Sequence, residues 1–168
     1  MNEILSCNSQ NITLAQINIA RMLAPMDSPV MIDFVNNLDR INQLAERSEG
    51  FIWRLIEDNS ESSIKVFHDE YIVVNMSVWQ SIKALFDFTY RSEHKNIFKR
   101  RKEWFSNMKE MHMACWYVPN GKYPTPQEAK ERLEFLNKYG ESPYAFTLKS
   151  NFTPKQASIY KLETWKQK

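Results

Sequence analysis

Apolar and polar residues follow one another along this chain in two rhythms, one of period two and one near 3.6. The switches between them outline its elements. Ile12–Ala20, ITLAQINIA, reads as a strand, and the polar stretch APMDSP breaks it. Asp27 or Ser28 can then cap a helix with Pro29 at its first position. Met31, Phe34, Val35, Leu38, Ile41 and Ala45 recur along that helix at helical spacing, up to a stop near Gly50. Phe51–Glu57 predicts a second strand, and DNSESS a polar loop. Tyr71–Trp79, YIVVNMSVW, is the clearest strand, because β-branched residues crowd it. Ser81–Phe88 predicts a short helix, and Tyr90–Phe105, YRSEHKNIFKRRKEWF, a second helical stretch after it. Met111–Val118 predicts a fourth strand. Beyond the turn PNGKYP, residues Thr125, Pro126 and Glu128 supply the cap, first position and capping-box acid of a helix. That helix is expected to bury Ala129, Leu133 and Leu136 and to stop at Gly140. Tyr144–Leu148 predicts a fifth, short strand.

The order is β-α-β-β-α-β with a C-terminal helix and a short strand added. It predicts an α+β, ferredoxin-like antiparallel sheet with helices on one face. The 168 residues fit a single domain. Its core spans about 12–148, with 1–11 and 149–168 peripheral. Strand alternation then separates two sheet faces. Ile17 and Ile19, with Ile72, Val74, Met76 and Val78, make an aliphatic face expected to meet the helices. Gln16, Asn18, Asn75, Ser77 and Trp79 fall on the other. Amides beside an aromatic on a covered face predict a pocket for a small-molecule ligand, lined by Asn18, Asn75, Ser77 and Trp79. The competing interpretation is a wet sheet surface or a polar dimer seam.

Composition trims the range of functions. Apolar residues make up 43% and charged residues 25%, an ordinary globular mix. With 3 glycines and no G-x-G-x-x-G or P-loop pattern, a Gly-rich phosphate cradle is excluded. A net charge of +2, from 22 basic and 20 acidic residues, advertises neither a nucleic-acid nor a membrane partner. Neither partner is expected. Two cysteines suit a reducing compartment, and the start of the chain shows no basic and apolar leader, so a cytoplasmic location is expected. No H-x-x-x-H or C-x-x-C spacing occurs, so no metal site is expected.

Candidate chemistry concentrates in Tyr90–Phe105. At about 100° per residue, His94 and Arg101 fall in the middle of a stripe formed by Tyr90, Ile97, Phe98, Trp104 and Phe105. Lys95, Lys99 and Lys102 fall opposite, on what reads as a solvated face. A charged group on an apolar stripe requires a partner. His94 is therefore a candidate acid/base or axial ligand, and Arg101 a candidate anion anchor. The bland alternative gives Arg101 an internal carboxylate and His94 a backbone carbonyl. Trp104 could stack on a flat ligand, although aromatics at this spacing more often build core.

Three segments carry a family resemblance. They are LAQINIARMLAPMDSPVMIDFVNNLDRINQLAERSEGFIWRL, IVVNMSVWQSIKALFDFTYRSEHKNIFKRRKEWF and CWYVPNGKYPTPQEAKERLEFLNKYGESPYAFTL. Together they resemble the bacterial family catalogued as domain of unknown function 3291, from Leu14 to Leu148. That family is similar to the dimeric α/β-barrel superfamily, which includes antibiotic-biosynthesis monooxygenases and haem-degrading enzymes. The resemblance implies a homodimer with a pocket between sheet and helices. It implies two functional readings: a monooxygenase-like oxidative enzyme acting on a flat or aromatic substrate, or a non-catalytic ligand-binding or accessory dimer. Haem enters as a candidate cofactor by the same route. The haem-degrading relatives combine an Asn on the first strand, a Trp and a helical His, for which this chain offers Asn18, Trp79 and His94. The relatives' Trp lies on the helix after the third strand, where this chain has Phe88.

Overall fold

A computed structural model describes residues 11–56 and 66–160. The expected leader before Asn11, the end of the second predicted strand at Glu57, the DNSESS loop and the tail after Tyr160 lie outside the described residues. Strand β1 spans Ile12–Arg21, helix α1 Ile32–Arg47, β2 Phe51–Arg54 and β3 Ile72–Trp79. Then come α2 at Ile82–Arg91, α3 at His94–Lys99, β4 at Met113–Pro119, α4 at Pro126–Tyr139 and α5 at Pro154–Ile159. Together they make an α+β protein. The sheet has 4 strands in the order β2-β3-β1-β4, and every neighbouring pair is antiparallel.

Local chemistry sets the boundaries. Pro29 opens a 3-10 turn, Pro29–Met31, that leads straight into α1. Ser81 caps α2 by accepting the Ala84 N–H, and Thr125 caps α4 by accepting that of Glu128. Gly50 ends the α1–β2 connection at φ +81, and a Cβ there would stand 2.6 Å from the Ala84 Cβ. Only glycine fits both the left-handed backbone and the approach of α2.

The aliphatic face, with Ala15, Ile17, Ile19, Met76, Val78, Ala114, Trp116 and Val118, packs against Ala129, Leu133 and Leu136 of α4. The mixed face packs elsewhere. Leu14, Trp79 and Cys115 meet Ala45 of α1, Leu85 of α2 and Phe146. Val73 of the same face joins Met22, Met31, Phe34 and Trp104. Burial of each large aliphatic or phenyl side chain among them stabilises the fold by about 1.5–3 kcal/mol.

Three expectations need correction. Among the described helices the aliphatic face packs against α4, with Phe67 beside it, whereas α1 and α2 lie over the mixed face. The assignment failed because Leu14, Val73, Trp79 and Cys115 make half of the mixed face as apolar as its opposite. Tyr144–Leu148 forms no strand. Phe146 makes a single bridge to Cys115, through Cys115 N–H to the Phe146 carbonyl at 2.6 Å and the reverse bond at 2.9 Å, beside a tight Ser142–Ala145 turn. Tyr90–Phe105 is no continuous helix. Ser92 turns extended at φ −92, ψ 179, and its hydroxyl donates to the Phe88 carbonyl to close α2. Its Oγ also accepts the His94 N–H at the start of α3. A second break follows at Arg100, after which a 3-10 turn, Arg101–Glu103, delivers Trp104 to the core.

Candidate functional site

The register of the two central strands sets Gln16 opposite Ser77 and Asn18 opposite Asn75. All four side chains therefore share one face, with Trp79 next along β3. Gln16 Nε2 donates to Asn75 Oδ1 at 2.7 Å and to Ser77 Oγ at 2.9 Å. Trp79 Nε1 also donates to Ser77 Oγ, at 2.8 Å. Two N–H donors fill both lone pairs of that hydroxyl, so its own O–H is left to donate. Trp79 is fully buried, with Phe51 edge-on at 5.3 Å and Phe88 stacked at 5.1 Å. Asn18 Oδ1 is buried and has no hydrogen-bond partner among the described residues. Asn75 is exposed, so the strip opens to solvent at that end.

The strip thus holds an idle acceptor on Asn18 and a free hydroxyl donor on Ser77, and none of its five side chains is charged. A buried amide oxygen without a partner costs about 1–3 kcal/mol. Gln16 is the hub of the network, and its role follows from a register opposition that appears only once β1 and β3 are paired. Asn18, Asn75, Ser77 and Trp79 are all brought together here.

His94 stands one ring away. Its imidazole packs on Phe88 at 4.9 Å and Phe98 at 6.3 Å, and its Nδ1–H donates to the Thr89 carbonyl at 3.2 Å. Burial pushes its pKa below the ordinary 6.5, outweighing the Thr89 bond that raises it. The imidazole is therefore neutral, with Nε2 as an acceptor that no described residue engages. Arg101 does not share this stripe. It is exposed, lies 4.4 Å over the Phe98 ring and donates to the Phe98 carbonyl at 3.1 Å. The break at Arg100 resets the helical phase, so the wheel drawn through Tyr90–Phe105 misplaces it. Trp104 is buried against Phe34 at 5.8 Å, with Arg100 over its ring at 4.8 Å. It is core in the described structure, away from Trp79.

Haem does not fit these residues. Trp79 is sealed by Phe51, Phe88 and Ser77, and the Phe88 ring separates it from His94. An axial ligand needs its in-plane Nε2 lone pair directed into a cavity with room for a macrocycle, and His94 is held between Phe88 and Phe98. Surface grooves of about 440 and 400 Å³ lie among the described residues, and neither is lined by His94, Asn18 or Trp79. Among the described residues no three His, Cys, Asp or Glu side chains gather as a metal site would require.

A second polar network ties the fold together. Trp116 Nε1 donates to Glu128 at 3.1 Å, and Arg132 lies 3.7 Å over Tyr144 while donating to its carbonyl at 2.9 Å. The Glu128 carboxylate thus serves β4 and Arg132 instead of returning to the Thr125 backbone as a capping box would. Cys115 is fully buried, and burial pushes its thiol pKa far up, so it is no nucleophile.

The family described as Domain of unknown function (DUF3291) matches residues 13–162. No curated protein matches the chain. Among solved structures, the protein titled "Crystal structure of PA3566 from Pseudomonas aeruginosa" is similar at 14% identity and a TM-score of 0.46, over 67% of this chain and 98% of that one.

Proposed function

The chain belongs to the DUF3291 family, and on that premise we propose that it is a small-molecule-binding module whose recognition surface is the Gln16–Asn18–Asn75–Ser77 strip. The observation that carries this reading is the buried, unpartnered Asn18 Oδ1 beside the free Ser77 hydroxyl donor. Folding alone gains nothing from an orphaned acceptor, whereas a ligand N–H or O–H would satisfy it. The ligand class follows from the lining. It is neutral, since no charge faces it, and it pairs a hydrogen-bond donor with an acceptor. The apolar flanks of the strip suit a flat ring. Calorimetric titration with planar N–H heterocycles and phenols, set against the matching carboxylates, tests this. Neutral members should bind, and Asn18→Leu should remove binding while thermal stability holds or rises. Binding by no neutral member, or full binding by the Asn18→Leu protein, overturns the reading.

A monooxygenase-like oxidation is the second reading, favoured by one observation: the neutral His94 imidazole keeps Nε2 free to accept a proton. Ligand-dependent oxygen consumption lost in His94→Gln would support it, and no consumption with any bound ligand would remove it. The order β-α-β-β-α-β and the strand order support the ferredoxin-like assignment. A homodimer belongs to the same proposal. Its seam lies away from the aliphatic sheet face, which α4 already covers. Leu23, Val30 and Ile32, all half or more exposed near the start of α1, offer an apolar surface instead.

A further inference from the structure

The double break in Tyr90–Phe105 gathers on the outside what the sequence pattern divided between two faces. Lys95, Lys99, Arg101 and Lys102 are all exposed. None of the four forms an ion pair among the described residues. The neighbouring acids are already taken: Glu93 by Arg40, Asp33 and Glu103 by Arg100, and Asp87 by Lys83 and Arg91. Four cations within eight residues of chain thus lack compensation, and their field adds outward.

Aromatic rings adjoin these cations at Arg101. Phe86 and Tyr90 are 37% and 38% exposed and touch at 4.8 Å. Tyr90 meets Phe98 edge-on at 6.0 Å, and Arg101 covers Phe98. A soluble surface gains nothing by exposing adjacent aromatics beside uncompensated arginine and lysine. Their combination matches the chemistry of an unpaired nucleic-acid strand, in which phosphates need cations and bases need flat apolar faces. An acidic peptide would use the cations and leave the rings idle. A duplex would hide its bases from them.

We infer that the α2–α3 surface centred on Tyr90, Lys99 and Arg101 binds single-stranded nucleic acid. It is separate from the small-molecule strip and independent of that reading. Fluorescence anisotropy with a fluorescein-labelled oligouridylate dodecamer tests it on the full chain. Four phosphate contacts predict a slope of about −3 for log K against log salt, and Lys99→Gln/Arg101→Gln/Lys102→Gln should bring the slope to about −1. Tyr90→Ala should weaken binding about tenfold through lost stacking. The matching duplex should bind more weakly than the single strand. The inference fails if no binding occurs at 50 mM salt, if the triple variant binds as the parent does, or if Tyr90→Ala has no effect. Equal competition by polyglutamate also overturns it, in favour of an acidic protein partner. The altered side chains are exposed or half exposed, and an unchanged melting temperature confirms that a loss is local.

Discussion

His94 shows how much a single residue's role depends on what surrounds it. Its type suggests acid–base chemistry, and its neighbours decide its charge. Burial between Phe88 and Phe98 lowers its pKa below 6.5, and the Thr89 carbonyl offsets part of that. The consequence for stability has a definite sign. Well above pH 6.5 the imidazole is neutral folded and unfolded, and it adds no pH dependence. Below 6.5 the unfolded chain takes up the proton first, so stability falls as pH falls, until the folded imidazole also protonates. The slope from this group stays under about 1.4 kcal/mol per pH unit. Urea unfolding from pH 7.5 to 5 should show that decline, and His94→Leu should flatten part of it. A parallel decline in both proteins would place the pH dependence elsewhere. At the same scale, Asn18 and Ser77 could be shortlisted from strand alternation, but the orphaned acceptor and the doubly accepting hydroxyl could not. Both are properties of side-chain geometry across two strands 59 to 61 residues apart.

Elements depend on their ends. The caps at Ser81 and Thr125, the stop at Gly140 and the turn at Gly50 are all readable from residue type, because each acts over three or four residues. Gly50 also carries a tertiary constraint. Gly50→Ala faces both a positive φ and the Ala84 Cβ, and should cost roughly 1–3 kcal/mol or more. Gly121 has φ +82 with nothing within 4 Å, so Gly121→Ala should cost about 1 kcal/mol. Denaturant midpoints compare the two directly, and equal losses would show that the approach of α2 is soft. The α2–α3 break was less legible. Helical periodicity assumes one phase, and Ser92 and Arg100 each reset it without a glycine or proline to mark the place. Ser92 does so through its own hydroxyl, which serves α2 and α3 at once.

Among the described residues helices pack on both sheet faces, α4 on one and α1 and α2 on the other, with the strip open at Asn75. A second copy therefore meets no bare sheet face among the described residues, and the proposed seam rests on Leu23, Val30 and Ile32. Sedimentation equilibrium should report a dimer that Ile32→Glu shifts toward monomer without lowering the monomer's stability. A monomeric parent protein would remove the proposal. The α+β class and the places of the four sheet strands were legible in the sequence alone, while the fifth strand read at Tyr144–Leu148 reduced to a single bridge at Phe146. Alternation and helical spacing are local periodic signals, and burial on one side of an element is enough to write them. Tertiary structure alone decided which helices cover which face, where Arg101 points and which polar groups lack partners. Those outcomes depend on the phase carried across breaks and on contacts between residues far apart in the chain. Two faces with nearly equal apolar content can each bind a helix, so composition leaves that choice open and packing makes it.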